Sequence, residues 1–188
     1  MKFDPSIFKA YDIRGIVPDS LDKNIARLIG AGLVEHLDCS EVFVGRDMRV
    51  SGNALFSALC EGITTAGADV IDIGLVSTDG LYFAVGKFGG QAGIMITASH
   101  NPPEYNGFKI CKAGAVPLSG SDGLPQIKAF VENGVMPSGK RAGKIIALNI
   151  DEDYALHCLS FIDTAKIRPF KIAVDAGNGM AGKTLPPI

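Results

Sequence analysis

Tryptophan is absent from this chain of 188 residues, and aromatic residues make up only 7% of it. No apolar run approaches the roughly 18 residues that a membrane-spanning helix needs, and the amino terminus lacks the long apolar core of a signal peptide. The formal net charge is only −2, so the chain has no basic surplus to attract nucleic acid or an anionic membrane. The sequence therefore predicts a cytoplasmic protein whose partners include neither nucleic acid nor membrane.

Cysteine and histidine are also scarce. No two cysteines form a CxxC pair, which argues against a zinc site and against a redox dithiol. The histidines lack the spacing of metal ligands. We expect the cysteines to be reduced and mostly buried. The residues concerned are Cys39, Cys60, Cys111, Cys158, His36, His100 and His157.

Hydrophobic residues, at 47% of the chain, are abundant enough for one ordinary domain with a core. Apolar positions recur at intervals of three and four, as in amphipathic helices, over 22–37, 51–66 (with Ser51 as a cap) and 79–88. Short apolar runs typical of buried strands occupy 41–45, 68–74 and 92–97. This alternation predicts an α/β fold with a mixed, mainly parallel sheet and helices on both faces.

Two polar segments follow predicted strands directly, "GRD" at 45–47 and "TASHN" at 97–101. Because ligands of such sheets bind beyond the carboxyl ends of the strands, we expect both segments at one rim. The strand predicted at 106–111 should run antiparallel to 92–97. That direction would bring Lys109 back towards Ser99 and bury Phe108 and Ile110.

The later part of the chain predicts a helix at about 121–133, a linker rich in Gly, Pro and Lys at 134–144, and a helix at about 151–165. A strand that ends in a glycine-rich turn is predicted at 171–182. We therefore expect a first domain over 1–145. Residues 146–188 would form a linking helix and the incomplete start of a second α/β domain.

The segment "TASHNPPEYNGFK" (97–109) is stiffened by two prolines at one end and by Asn106-Gly107 at the other. Such a loop either holds functional side chains in place or is a rigid loop in which Ser99 bonds its own backbone. A serine hydrolase is disfavoured, because no G-x-S-x-G surrounds Ser99. Basic residues near loops are either solvated charges or a phosphate site, namely Arg14, Arg46, Arg49, Lys109 and Lys112.

The same segment resembles the phosphoserine loop of the α-D-phosphohexomutases, the phosphomannomutase/phosphoglucomutase family. Three further stretches resemble family segments in the same order: "FKAYDIRG" (8–15), "GRDMRVSG" (45–52) and "VDAGNGMAG" (174–182). The resemblance implies an intramolecular phosphotransferase of carbohydrate metabolism. Such an enzyme interconverts hexose 6-phosphate and hexose 1-phosphate through a phosphoserine and a hexose 1,6-bisphosphate.

The resemblance also implies roles for individual residues. Ser99 would carry the phosphoryl group, and Lys109 would stabilise its charge and take part in proton transfer. Arg14 would lie near the reacting hydroxyl, and His100 would orient groups or carry a proton. The remaining matches are Tyr11 in the sugar pocket, Asn101 as a turn former, and Arg46 and Asp47 as braces of the cleft floor.

Magnesium is a further implication of the resemblance. One ligand oxygen would come from phosphoserine at Ser99, and the others from a D-G-D-G-D motif that this chain lacks. We therefore expect the amino-terminal portion of a phosphohexomutase, inactive by itself. The alternative is a non-catalytic module that binds sugar phosphates or a protein partner and retains the first-domain fold.

Overall fold

The computed structural model describes residues 4–138 and 141–188. Its helices are α1 (Lys23–Leu37), α2 (Gly52–Thr65), α3 (Thr78–Lys87), α4 (Leu124–Asn133), α5 (Asp151–Leu159) and α6 (Ala181–Thr184). Its strands are β1 (Ile13–Ile16), β2 (Glu41–Arg46), β3 (Asp69–Leu75), β4 (Ala92–Ile96), β5 (Tyr105–Lys112), β6 (Val116–Pro117) and β7 (Ile145–Ala147). Short 3₁₀ turns lie at Pro5–Ile7, Ala113–Ala115 and Thr164–Lys166.

One mixed sheet contains all of these strands, in the order β1-β5-β4-β2-β3-β7, with β6 paired to β5. The pairs β4–β2, β2–β3 and β3–β7 are parallel. The pairs β1–β5, β5–β4 and β5–β6 are antiparallel. The antiparallel return of β5 against β4 was predicted and is confirmed, with Lys109 opposite Met95.

Successive side chains along each strand point to opposite faces of the sheet, and a separate apolar core lies on each face. Val42 and Val44 of β2 join the core covered by α1, α2 and α4, whereas Phe43 points to the core beneath α3. Phe108 and Ile110 are both buried, as predicted. Burying each such side chain stabilises the fold by about 1.5–3 kcal/mol. The prediction of helices on both faces of a mixed sheet is therefore confirmed.

Several element boundaries differ from the predictions. Helix α5 ends at Leu159 rather than near 165. The strand predicted from 171 is wrong, because 171–176 carries no regular structure and pairs with no strand among the described residues. A strand without a partner leaves its backbone N–H and C=O groups to water. An apolar pattern is therefore not enough to form a strand when no neighbouring strand is present to pair with it. The glycine-rich turn after it does form, with Gly177 at a φ of 51°.

Strands β1, β6 and β7 were not predicted, since each has at most four residues. Strand β7 lies inside the region where the linker and the second unit were expected to meet. Positions 139 and 140 of the predicted linker lie outside the described residues. The division of the chain at 145 stays a prediction.

The sequence predicted free, mostly buried thiols and no membrane-spanning helix. Cys39, Cys60 and Cys111 are buried, Cys158 is half-buried, and none of the four forms a disulfide. This outcome confirms the prediction of free, mostly buried thiols. None of the described helices combines the length and the apolar character that a membrane crossing requires.

Candidate active site

The loop between β4 and β5 presents Ser99 to solvent in an uncommon backbone conformation. Ser99 has a φ of 55°, in the left-handed region that residues other than glycine seldom adopt. Its side chain is exposed, whereas Thr97 and Ala98 before it are buried. Such strain persists only where the surrounding structure enforces it, and it clusters at functional sites. The hydrogen bonds to the Ser99 peptide supply this constraint.

A buried chain of hydrogen bonds holds the amide of Ser99. The Ser99 N–H donates to Thr97 Oγ1 at 2.8 Å, and the Thr97 hydroxyl donates to Asp47 Oδ2 at 2.6 Å. Asp47 is only 6% exposed. Because Asp47 follows β2 and Thr97 follows the adjacent β4, the predicted meeting of the two segments at one rim is confirmed. It also supports the interpretation of Asp47 as a brace.

Arg49 holds the loop through its main-chain oxygens. Its Nη2 donates to the carbonyls of Ser99 and Asn101 at 2.9 and 2.7 Å. Its Nη1 donates to the carbonyls of Pro102 and Tyr105, both at 2.8 Å. The Arg49 side chain is 7% exposed, and its Nε lies 3.5 Å from Asp47 Oδ2. Arg49 is thus occupied by the loop and is not a free phosphate ligand, contrary to one of the two sequence interpretations.

A second anchor fixes the far end of the loop. The side-chain amide of Asn106, which is fully buried, donates to Ser51 Oγ at 2.9 Å. Asn106 Oδ1 accepts from the Gly107 N–H at 2.9 Å. Ser51 does occupy the cap position of α2, but its side chain makes no capping bond. Its hydroxyl contacts the loop instead, so this part of the prediction is wrong.

Two cations share one carboxylate oxygen beside the loop. Asp12 Oδ2 lies 3.0 Å from Arg14 Nε, 2.9 Å from Arg14 Nη2 and 3.2 Å from Lys109 Nζ. Arg14 Nη1 also donates to the carbonyl of Ala98 and to Asn101 Oδ1. The structure thus brings Arg14 and Lys109 together around one carboxylate. Asp12 was not singled out by sequence reasoning, although its place between Tyr11 and Arg14 in "YDIRG" was a usable signal.

The other predicted site residues make longer contacts, are exposed to solvent, or pair with residues outside the loop. His100 Nδ1 is 3.4 Å from Ser99 Oγ. Tyr11 is 76% exposed, with its ring open to solvent next to Asp12. Arg46 pairs with Asp72 at 2.8 Å and stacks on Phe56 at 4.2 Å.

Lys112 pairs on the surface with Asp122 at 2.6 Å. Of the five basic residues considered together, Arg14 and Lys109 alone form a cationic pair next to the loop, and Arg49 lies behind it.

A cavity of about 330 Å³ opens beside Ser99 and His100. The start of α3, at Ser77 and Thr78, and Met180 form other parts of its wall. Sequence reasoning did not select these three residues. A larger cavity of about 520 Å³ lies at the opposite ends of the strands, lined among others by Ser40 and Asp69, and contains none of the predicted catalytic or substrate-binding residues. The smaller cavity is therefore a candidate for the substrate at Ser99 and His100, whereas Tyr11, Arg14 and Lys109 are not among the residues that line it.

The described residues do not complete a magnesium site. No three His, Cys, Asp or Glu side chains among them lie close enough together to hold a metal ion. Two carboxylates that contact the loop or its cations, Asp12 and Asp47, are already engaged by cations or hydroxyls. A phosphoryl group on Ser99 would add ligand oxygens, but the residues present do not provide the rest of a coordination sphere.

Fold and site together define an α/β protein that fixes one exposed serine at the rim of its sheet, beside two cations. A sequence model of the family described as phosphoglucomutase/phosphomannomutase, alpha/beta/alpha domain I, matches residues 5–138. Because this match covers more than half of the chain, the chain belongs to the phosphoglucomutase/phosphomannomutase family.

Individual relatives agree with this assignment. A phosphohexose mutase of Xanthomonas campestris is 41% identical over 93% of this chain and 39% of its own length. A phosphomannomutase of Salmonella typhimurium is 40% identical over 95% of this chain and 40% of its own length. The crystal structure of a family protein from Burkholderia thailandensis superposes with a TM-score of 0.83 at 36% identity, covering 96% of this chain and 41% of that one. The chain thus spans about two fifths of the length of these relatives.

Proposed function

We propose that this chain provides the phosphoserine and its adjacent cations for a phosphohexomutase that interconverts hexose 6-phosphate and hexose 1-phosphate. One observation carries the proposal. The Ser99 peptide is held at its N–H by Thr97 and at its C=O by Arg49, while its hydroxyl stays exposed. Phosphoryl transfer depends on positioning and charge stabilisation, and this arrangement supplies the positioning.

In the proposed reaction, phosphoserine 99 gives its phosphoryl group to the free hydroxyl of a hexose monophosphate. The bond between Ser99 Oγ and phosphorus breaks, a bond between the sugar oxygen and phosphorus forms, and the hydroxyl proton passes to the departing Ser99 oxygen. The hexose 1,6-bisphosphate then turns over and returns its other phosphoryl group to Ser99. The second transfer reverses the bond changes and restores the phosphoserine.

The side chains near Ser99 have distinct roles in this proposal. Lys109 and Arg14 stabilise negative charge on the transferring phosphoryl group. His100, with its ring nitrogen 3.4 Å from Ser99 Oγ, orients the hydroxyl or carries its proton. Tyr11 contacts the sugar. Magnesium is proposed as a cofactor with one ligand from phosphoserine 99. The proposed location is the cytoplasm.

The test is to replace Ser99 in the native protein and measure hexose phosphate exchange. Ser99→Ala should abolish the exchange of mannose and glucose 1-phosphates with their 6-phosphates and remove a phosphoryl mass from peptide 97–109. Ser57→Ala is the matched control, because Ser57 is an exposed serine on α2 whose hydroxyl bonds its own helix. Full mutase activity in Ser99→Ala would rule out the mechanism.

A second candidate function is a non-catalytic module that binds sugar phosphates. It is favoured by one observation, the lack of a three-ligand metal group among the described residues. The cationic pair of Arg14 and Lys109 would serve this function equally well. Saturable binding of a hexose phosphate, with Ser99 unmodified and no isomer exchange by the native protein, would support it over the mutase.

A further inference from the structure

We propose that Asp12 is a positioning residue that orients Arg14 and Lys109 and limits their net charge at the phosphoserine. The inference rests on the proposed function and adds a residue to it. Its basis is the shared oxygen: Asp12 Oδ2 contacts both nitrogens Nε and Nη2 of Arg14 and also Lys109 Nζ, within 2.9–3.2 Å.

The sheet register explains why this contact forms. Ile13 lies opposite Phe108 and Arg14 lies opposite Gly107 in the antiparallel pair β1–β5. Continuing that register by one residue places Asp12 opposite Lys109. Gly107 permits the close approach, because a Cβ there would lie 2.0 Å from the carbonyl oxygen of Ile13. The backbone itself thus brings the carboxylate to the lysine.

Burial makes the contact stronger than an ordinary surface ion pair. The Asp12 side chain is 14% exposed and that of Arg14 is 13% exposed, whereas Lys109 is 27% exposed. Shared, partly buried ion pairs with fixed geometry resist the screening that weakens exposed pairs. Arg14 in turn bonds the carbonyl of Ala98, the residue before Ser99. Asp12 therefore connects Lys109 with the loop through Arg14.

The charges suggest why a carboxylate belongs there. A phosphoserine carries about −1.5 to −2 at neutral pH, and Arg14 and Lys109 together carry +2. With Asp12 the local sum of charges is +1. This charge attracts the phosphoryl group but binds it less tightly than a charge of +2 would. Other ionisable groups near Ser99 include His100 and the exposed Glu104 on the same loop, and Asp47 and Arg49, which pair with each other behind it. Removing the Asp12 charge should therefore change the electrostatic potential at the phosphoserine directly.

The test compares Asp12→Asn with Asp122→Asn in the native protein. Asp122 is the matched control, because it also pairs with a lysine, Lys112, but on the exposed surface away from Ser99. Asp12→Asn should lower kcat about 10- to 100-fold without raising KM for the hexose phosphate. Its phosphoserine, followed by ³¹P NMR, should titrate at a pH lower by about half a unit or more, because a neighbouring negative charge is gone.

Asp12→Glu keeps the charge and tests position alone. It should retain the wild-type ³¹P midpoint and recover most of the lost kcat. A purely structural role for Asp12 would lower the amount of folded enzyme and leave the ³¹P midpoint unchanged, and this result would overturn the proposal. So would equal kcat values and midpoints in Asp12→Asn and Asp122→Asn. If the wild-type protein neither carries phosphoserine nor exchanges hexose phosphates, the proposed function fails and this inference fails with it.

Discussion

Replacing Arg49 by lysine should loosen the Ser99 loop even though the positive charge is kept. Arg49 reaches four carbonyl oxygens with two nitrogens, at 2.7–2.9 Å. A lysine ammonium has one nitrogen and three hydrogens, and it cannot span the same fork of acceptors. At least two charge-assisted bonds are lost, and each contributes about 1.5–3 kcal/mol.

The net loss should be smaller than that sum, since water can reach the rim of the sheet and satisfy part of the loop. We expect the free energy of unfolding to fall by about 2–4 kcal/mol. For a chain of this size, such a change corresponds to a drop in Tm of roughly 5–15 °C. The Ser99 amide should also exchange its hydrogen faster, because its bond to Thr97 depends on the same loop geometry.

Urea unfolding and amide hydrogen exchange of the chain measure the two effects. Arg27→Lys is the control, because Arg27 pairs with Glu61 at 3.0 Å in a more exposed setting and should change stability by less than about 0.5 kcal/mol. If Arg49→Lys and Arg27→Lys gave the same unfolding free energy and the same Ser99 exchange rate, the assignment of Arg49 as the loop anchor would be refuted.

Two further predictions concern packing and ionisation. Gly107→Ala should destabilise the chain by about 2–4 kcal/mol, because its Cβ would lie 2.0 Å from the oxygen of Ile13, whereas Gly86→Ala, with nothing within 4 Å, should not destabilise. At pH 8 iodoacetamide should modify Cys158 first, because burial raises the pKa of the other three thiols to about 11–12. The buried thiols contribute their full stability while they are neutral, below about pH 9, and this contribution should be lost as the pH rises through 11–12. Alkaline unfolding followed by circular dichroism tests this direction. Equal labelling of all four thiols by iodoacetamide would contradict the burial. The three thiols are Cys39, Cys60 and Cys111.

Much of the fold was predictable from the sequence because the central elements carry strong periodic signals. The helix predicted over 22–37 is α1 (Lys23–Leu37), and the strand predicted over 92–97 is β4 (Ala92–Ile96). Both have apolar positions that the sheet or helix period dictates locally. The edge strands were missed because β1 and β7 depend on pairing with β5 and β3, which are distant in the sequence.

The site residues also fall into two groups, those that a local motif predicts and those whose roles depend on distant contacts. Ser99 and Lys109 stand in one short segment, so motif and strand direction sufficed to place them. The role of Arg49 was not predictable from its residue type, because a basic residue near a strand end is equally suited to a phosphate. What decides its role is the set of carbonyls that the folded loop turns towards it. The contact between Asp12 and Lys109 was missed because the two residues lie 97 positions apart, although Asp12 itself stands in the segment "YDIRG".

Arg49 contacts the loop solely through main-chain oxygens at four positions. Every amino acid offers the same carbonyl group, so this anchor does not depend on which side chains stand at those positions. Tyr105 in particular can be exchanged without removing the acceptor that Arg49 uses there. The loop can therefore change its outward chemistry at Tyr105 while this anchor persists, whereas Thr97, Asn101 and Asn106 hold the loop through their side chains and are not free to vary.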